Sequence, residues 1–483
     1  MRSTSPRSAW TWAPLAVLST AGALMAASAF AHFPFEDAYV TLRYADNLAE
    51  GRGYVFNPGE HVLGTSSPLW TLLLALSTWL GADPEVALTA ASTASLVALA
   101  WLGGLALRKE DMPIASIAFA TAVLFGFGRS HESWGMETPL FMALLFGVLA
   151  LVRCRRIAGA GAVMGLAFLT RHEGALFALA FVPILGRHAA VRFGVSAAVV
   201  AAPWWIFAAA TFGTLLPHAL EAKAGDLGAW EYLCGAWALL PGDWVWSARA
   251  LRVSGVEVAM RVAVLAFGSV GLWTLWKRRS PLLSLAVGAG LALLGLAIIG
   301  PAHGFRWHRW PFHLLLLALC LVGAEASSRG FTSRLRVIPV QASIAAFGLL
   351  LLPSTLHRYR SNIEATHEHR SRIEVYDEVI QRIRSAGLSG ATLLTPEPGY
   401  LAYHTDNPVI DAAGLVSPEV SFGSDQRTPT ILGELLQRRP GLIMARVPFH
   451  PQGYRVLLDT RFRGRLLVRA DLWPDEPGAV AGR

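Results

Sequence analysis

The sequence predicts an all-α polytopic membrane protein of about eleven transmembrane helices, followed by a soluble α/β domain. Of its 483 residues, 54% are hydrophobic and only 15% charged. The mean hydropathy of +0.44 lies above that of a water-soluble domain. The apolar residues also fall into repeated blocks of about 15 to 25, the length that a helix rising about 1.5 Å per residue needs to cross a hydrocarbon core about 30 Å thick.

The first block, 10–33, follows Arg2 and Arg7. It ends in small residues resembling a signal-peptidase site, but its length and the spans after it favour a retained helix. The later blocks lie at 84–107, 112–127, 138–152, 157–170, 174–186, 193–212, 257–276, 281–301, 311–325 and 337–352. Assigning alternate loops to the cytoplasm gathers Arg108, Lys109, Arg153, Arg155, Arg156, Arg187, Arg192, Lys277, Arg278, Arg279, Arg329, Arg334 and Arg336 on the inner side with Arg2 and Arg7. That is the positive-inside pattern, with the N-terminus inside. An odd number of spans then sends the tail outside. Pro68 to Leu80 is too short to cross, and counting it as a span would invert Arg108 and Lys109; it reads as a half-inserted helix.

Two regions follow from this reading: 1–353, a membrane domain with a long outer loop at 34–83, and 354–483, an extracytoplasmic domain. In the tail, Ile363, Ile373, Val379, Ile380 and Ile383 have roughly helical spacing and precede a Gly387/Gly390 break and a strand-like run, 391–394. A helical stretch near 431–436 and an apolar run at 441–445 repeat the alternation, as in a small α/β module. The 41 Lys and Arg against 33 Asp and Glu give a net charge of +8, but the excess sits in short membrane loops and does not suggest nucleic acid. Cys154, Cys234 and Cys320 offer neither a disulfide framework nor metal-ligand spacing.

The chemistry is expected at the outer ends of the spans. Glu36 and Asp37 open the first outer loop, followed by Arg43, Tyr44 and Asn47 at helical spacing. Adjacent side chains on a helix point apart, so one of the two acids at most faces a site. His131, Glu132 and Glu137 precede the fourth span, and Arg171, His172 and Glu173 separate the fifth and sixth. His218 and Lys223 follow the seventh, and Arg306, His308 and Arg309 precede the tenth. Charged residues in such apolar surroundings are costly unless they face a polar cavity. Outer cations suit a phosphate, and carboxylates suit a hydroxyl or a metal.

Several stretches resemble a family. The loop from Glu36-Asp37-Ala-Tyr39 through Arg43-Tyr44, Asn47-Leu48 and Gly51, the turn Asn57-Pro58-Gly59-Glu60, and Thr65-Ser66-Ser67-Pro68-Leu69-Trp70 resemble the start of polytopic GT-C glycosyltransferases. Gly135-Met136-Glu137-Thr138, Leu169-Thr170-Arg171-His172-Glu173-Gly174, Phe212-Gly213 to Pro217 with Ala222-Lys223, and Phe305-Arg306-Trp307-His308-Arg309 extend the likeness. Tyr400 to Tyr403 and Val409 to Val416 continue it into the tail. The nearest likeness is to mycobacterial terminal arabinofuranosyltransferases, with a more distant one to protein O-mannosyltransferases and lipid A aminoarabinose transferases. Glu36 stands where those relatives tend to carry an aspartate, and His172 where a proline is common.

The resemblance implies a GT-C-like membrane glycosyltransferase in the bacterial cytoplasmic (inner) membrane. It would move a sugar, with inversion, from a polyprenyl-phosphate donor to a cell-envelope glycan, lipid or protein acceptor on the outer face. In that reading Asp37, with Glu36 as the alternative, takes the acceptor proton. Arg171, Lys223, Arg306 and Arg309 bind the donor phosphate, and Arg43, Tyr44, Glu137, His172, Glu173 and His308 line the substrate. No dedicated metal motif is present, and a divalent cation bridging carboxylate and phosphate stays an open alternative to some of the cations. Tyr403 and Asp411 read as fold-stabilising. The rival class is a transporter or lipid flippase, in which repeated halves and midplane polar groups are common; here the polar groups gather on one face and no repeat stands out. A reporter fused after Arg334 should be cytoplasmic and one after His357 external; both on one side would remove the eleven-span topology.

Overall fold

The computed structural model describes residues 36–126, 135–219, 233, 255–299, 310–332, 371–412, 414–417, 435–446, 450–460 and 464–473. The first block, 10–33, and the last, 337–352, lie outside these residues. The other nine each coincide with a helix. An outer helix α1 (Glu36–Ala49) and the short α2 (Pro68–Trp79) precede α3 (Pro84–Lys109), α4 (Pro113–Thr121, prolonged by a π turn, Ala122–Gly126), α5 (Thr138–Arg153) and α6 (Ile157–Thr170). Then come α7 (Gly174–Phe181, continued by a 3-10 turn), α8 (Arg187–Phe212), α9 (Gly255–Lys277), α10 (Leu282–Ile299) and α11 (Trp310–Thr332). Among the described residues, four helices are long and apolar enough to cross a membrane: α3, α8, α10 and the stretch Trp310–Arg329 of α11.

Local chemistry sets the helix ends. Asp83 accepts from the Glu85 and Val86 amides, both at 3.0 Å, and Pro84 opens α3 where an amide would have no partner. Gly213 closes α8 in the left-handed conformation, φ 68°. Between helices, small residues replace the hydrophobic drive that lipid removes. Gly161 and Gly165, one turn apart on α6, meet the α8 backbone; a Cβ on Gly161 would strike the Phe193 carbonyl, and one on Gly165 would lie 2.6 Å from that of Ala197. Leu72, Leu73, Leu76, Trp79 and Leu80 on and just after α2 are exposed while Trp70 and Leu74 are buried. That is the face expected of a helix lying against lipid.

Charged residues assigned to one side of the bundle do meet. Arg153 and Ser280 both reach the buried Glu110 carboxylate, and Arg278 reaches its carbonyl. Glu325 on α11 accepts from the Ala115 amide at 2.9 Å, capping α4 from another helix, and pairs with Arg329 at 2.8 Å.

The tail begins, in the described residues, with α12 (371–385), then β1 (Leu393–Thr395), α13 (Gly399–Thr405), β2 (Val409–Asp411), β3 (Leu442–Arg446), β4 (Tyr454–Asp459) and β5 (Gly464–Arg469). Its five-stranded sheet has the order β2-β1-β3-β5-β4. The first three strands are parallel, and β5 and β4 continue antiparallel. The expected helix at 431–436 is described only from 435 to 437. Gly161→Val should cost about 1–3 kcal/mol by forcing α6 from α8, read as a lower midpoint of thermal unfolding in detergent.

Candidate active site

Helix α1 opens with Glu36 and Asp37 and turns one face to the tail. Residues 36, 39, 43 and 46 recur at helical spacing, and all four meet the turn and helix around α13. A Glu36 carboxylate oxygen accepts from the Gly399 amide. Tyr39 packs edge-on to Tyr400, ring centroids 4.9 Å apart, and touches the rings of Tyr403 and His404. Arg43 donates to the carbonyls of Ala402, Asn407 (2.9 Å) and, from its Nε, Phe56 (2.9 Å). Asp46 accepts from the Tyr403 hydroxyl at 2.7 Å.

The other faces of α1 hold the outer loop. Tyr44 donates to the Val62 carbonyl at 2.6 Å and accepts from the Gly64 amide at 3.0 Å. Asn47 donates to the carbonyls of Val55 and Phe56. Asn57 then pairs both ways with the main chain of Val409 on the outer edge of β2, donating at 2.8 Å and accepting at 3.0 Å, as a neighbouring strand would. Arg43 and Tyr44, expected to line substrate, therefore have these polar groups engaged elsewhere, Arg43 on the tail and on Phe56 and Tyr44 on the loop after α1.

The two acids stand in different surroundings. Glu36 is buried and Asp37 half-buried. Burial first, then the charges of Asp37, Glu397 and Asp411, raise the Glu36 pKa well above the ordinary carboxylate range, against the opposing pull of the Gly399 amide. Glu397 is held by the Tyr376 hydroxyl and by Arg372 at 3.5 Å. The Leu415 and Val416 amides donate to Asp411, which folds its own turn.

A second polar cluster lies beside the first. The turn at Gly135 sits on Ala38, where a Cβ would come within 2.6 Å, and Trp70 donates to the Gly135 carbonyl at 3.0 Å. Two residues on, Glu137 meets Arg171 at 2.8 Å, and Glu173 meets the other Arg171 terminal nitrogen at 2.8 Å. Thr138 accepts from the same guanidinium at 3.1 Å. Burial lowers the pKa of His172 in this turn. Lys223, Arg306, His308 and Arg309, with His131 and Glu132, lie outside the described residues. His218 ties the end of the seventh span to the outer loop through the Leu63 carbonyl at 2.9 Å. Among the described residues, no group of three or more His, Cys, Asp or Glu could hold a metal ion.

Some members of the joint were not legible in the sequence. Glu397 and Gly399 precede the recognisable Tyr400 to Tyr403 stretch but carry no local signature. Glu85, whose carboxylate accepts from Tyr39 at 3.0 Å and lies 3.4 Å from His404, reads locally as an ordinary first-turn acid.

The fold has known counterparts. ArnT from Cupriavidus metallidurans superposes in its apo state with a TM-score of 0.56 at 14% identity, covering 98% of this chain and 100% of that one. The same protein bound to undecaprenyl phosphate gives 0.54 at 14% identity, covering 95% and 99%. The two chains share a fold over nearly their whole lengths. The oligosaccharyltransferase of Archaeoglobus fulgidus, tethered to an acceptor peptide containing the NVT sequon, also aligns, with a TM-score of 0.50 at 11% identity over 88% of this chain and 69% of that one. In sequence, the chain is 28% identical over 120 residues to the terminal beta-(1->2)-arabinofuranosyltransferase of Mycobacterium tuberculosis. That match spans 23% of this chain and 19% of the relative, under a fifth of its length. A family described as a domain of unknown function (DUF8728) matches residues 361–475, within the tail.

Arg43→Ala should take a donor from three buried carbonyls, of which that of Phe56 keeps Asn47, at about 1–3 kcal/mol for each group left unsatisfied. The expected outcome is faster proteolytic release of the tail in detergent, with the membrane part intact on a gel.

Proposed function

We propose that this chain is an inverting membrane glycosyltransferase. It moves a sugar from a polyprenyl-phosphate donor to a cell-envelope glycan, lipid or protein acceptor on the outer face of the bacterial cytoplasmic membrane. The observation that most supports the reading is the pair Glu36-Asp37 at the head of the first outer helix of a GT-C fold, beneath the tail domain. Undecaprenyl phosphate in ArnT supports a lipid phosphate as the carrier. The arabinofuranosyltransferase likeness favours a pentose. The eleven spans expected from the sequence, with their positive-inside loops, support the outer side for the pair and the tail.

In the reaction, an acceptor hydroxyl oxygen bonds to the anomeric carbon as the bond from that carbon to the phosphate oxygen breaks on the opposite face. Asp37 takes the hydroxyl proton, and the lipid phosphate leaves with its electron pair. Asp37 is half-buried and so the more exposed acid of the pair, while Glu36 is buried and accepts from the Gly399 amide. Cations near the leaving phosphate stabilise the charge that grows in the transition state. Arg171 already bridges two carboxylates, so its field toward an anion is largely neutralised. We assign it to hold the turn carrying His172 and Glu173, and assign the phosphate to Lys223, Arg306 and Arg309. A divalent cation, if one takes part, would supply the same charge stabilisation beside the carboxylates.

Asp37→Asn keeps the shape and removes the base. It should lower transfer about a hundredfold or more while undecaprenyl phosphate still binds. Glu36→Gln should cost less. Near-normal rates for both, measured as formation in isolated membranes of the envelope glycan that a deletion strain loses, would overturn this mechanism.

A further inference from the structure

The tail domain does more than sit on the outer loop, because it supplies a main-chain donor to the acidic pair. The Gly399 amide donates to the Glu36 carboxylate across 363 residues of sequence. The approach is close enough to require glycine: a Cβ at position 399 would strike the Glu36 carbonyl oxygen and lie 2.7 Å from its carboxylate oxygen Oε1. Among the described residues, the charges that act on Glu36 from its own helix and from the tail are those of the acids Asp37, Glu397 and Asp411. A carboxylate so surrounded is pushed away by its neighbours, and the amide is the attractive contact that fixes where it rests. The same seam holds Arg43, two turns along α1, on the Ala402 and Asn407 carbonyls.

We infer that Gly399 is a positioning residue for transfer: its amide orients Glu36 and, through the shared helix turn, Asp37, so that the acidic pair is in working geometry only while the tail is docked. This rests on the reading of Glu36 and Asp37 as the reacting pair. It predicts that the tail is a fixed wall of the site, and that loosening it lowers the rate of transfer without weakening the hold on the lipid phosphate.

The test uses membranes from a strain deleted for this chain and carrying each variant at full length. The initial rate is that of forming the envelope glycan lost on deletion, followed across pH 5 to 8, and binding of undecaprenyl phosphate is measured on the purified proteins. Gly399→Ala should lower the rate about tenfold or more with undecaprenyl phosphate affinity unchanged, because small misplacements of a reacting group carry penalties of that order. The rate inflection belonging to Glu36 should move to higher pH, since the amide contact that the added Cβ displaces favoured its charged form. Combining Gly399→Ala with Glu36→Gln should cost no more than about threefold beyond the worse single variant, as for two changes acting through one contact.

Gly194→Ala, a helix glycine with nothing within 4 Å of an added Cβ, is the control and should match the parent. Arg43→Lys, which loses the planar fork but not the charge, tests the same seam if Gly399→Ala fails to accumulate, and should show the same rate loss, unchanged affinity and non-additivity with Glu36→Gln. Losses that multiply, an unmoved inflection, or a Gly399→Ala rate equal to the control would overturn the positioning role. If Asp37→Asn is inactive while the Gly399 and Arg43 variants match the control, this inference alone falls. If Asp37→Asn is fully active, the reading beneath it falls as well.

Discussion

One buried guanidinium organises the joint on which the rest depends. Arg43 projects from α1 into a space where a cation can persist only if its donors are satisfied, and it spends them on carbonyls from three separate stretches: the outer loop at Phe56, helix α13 at Ala402, and the following turn at Asn407. Burial brings its pKa down to about 10, which still leaves it charged at neutral pH. A planar fork of five donors can bind several carbonyls at fixed angles, which an ammonium cannot. From that anchor the contacts run in both directions along the helix, to Tyr39 and Glu36 on one side and to Asp46 on the other. Asn57 then closes the open edge of β2.

The membrane part supplies a rigid frame for this joint. Two of its helix pairs, α6 with α8 and α9 with α11, bring their backbones together at glycines, and phenylalanine rings pack between others. At one end, Glu110 and Glu325 tie four connecting segments together through Arg153, Ser280, Arg278, Arg329 and a helix-start amide. At the other, Trp70 and the Gly135 turn lock α1 beside the Arg171 cluster. Within that cluster the guanidinium is compensated, because it lies between two carboxylates. The acids around Glu36 have less compensation, and an unbalanced group of that kind is where proton chemistry is expected.

Much of the fold was legible because its signals are local. Apolar blocks of membrane length, broken by loops carrying Lys and Arg, coincide with the described helices from α3 to α11, and the short block at Pro68 is the half-exposed α2. In the tail, the glycine break after Ile383 and the apolar runs that follow gave strands within two residues of β1 and β3. The outer motif was legible as an order of residues, but not the tasks within it. Arg43 and Tyr44 look like site residues because they are charged or polar and follow the acids at helical spacing. Nothing nearby in sequence says that their partners include a carbonyl 359 residues on. The same distance hides Gly399, whose requirement for glycine comes wholly from Glu36.

The sequence by itself determined a series of apolar helices followed by a tail of helices and strands, and a pair of acids at the start of α1. Those properties depend on hydropathy over about twenty residues and on helix and strand periods, which neighbouring residues settle among themselves. Only the tertiary structure decided which acid is buried, which arginine is neutralised and which glycine touches the carboxylate. Each of these follows from close contact between segments far apart in the chain, and their electrostatics change with burial and with a single hydrogen bond, neither of which is fixed until the segments meet.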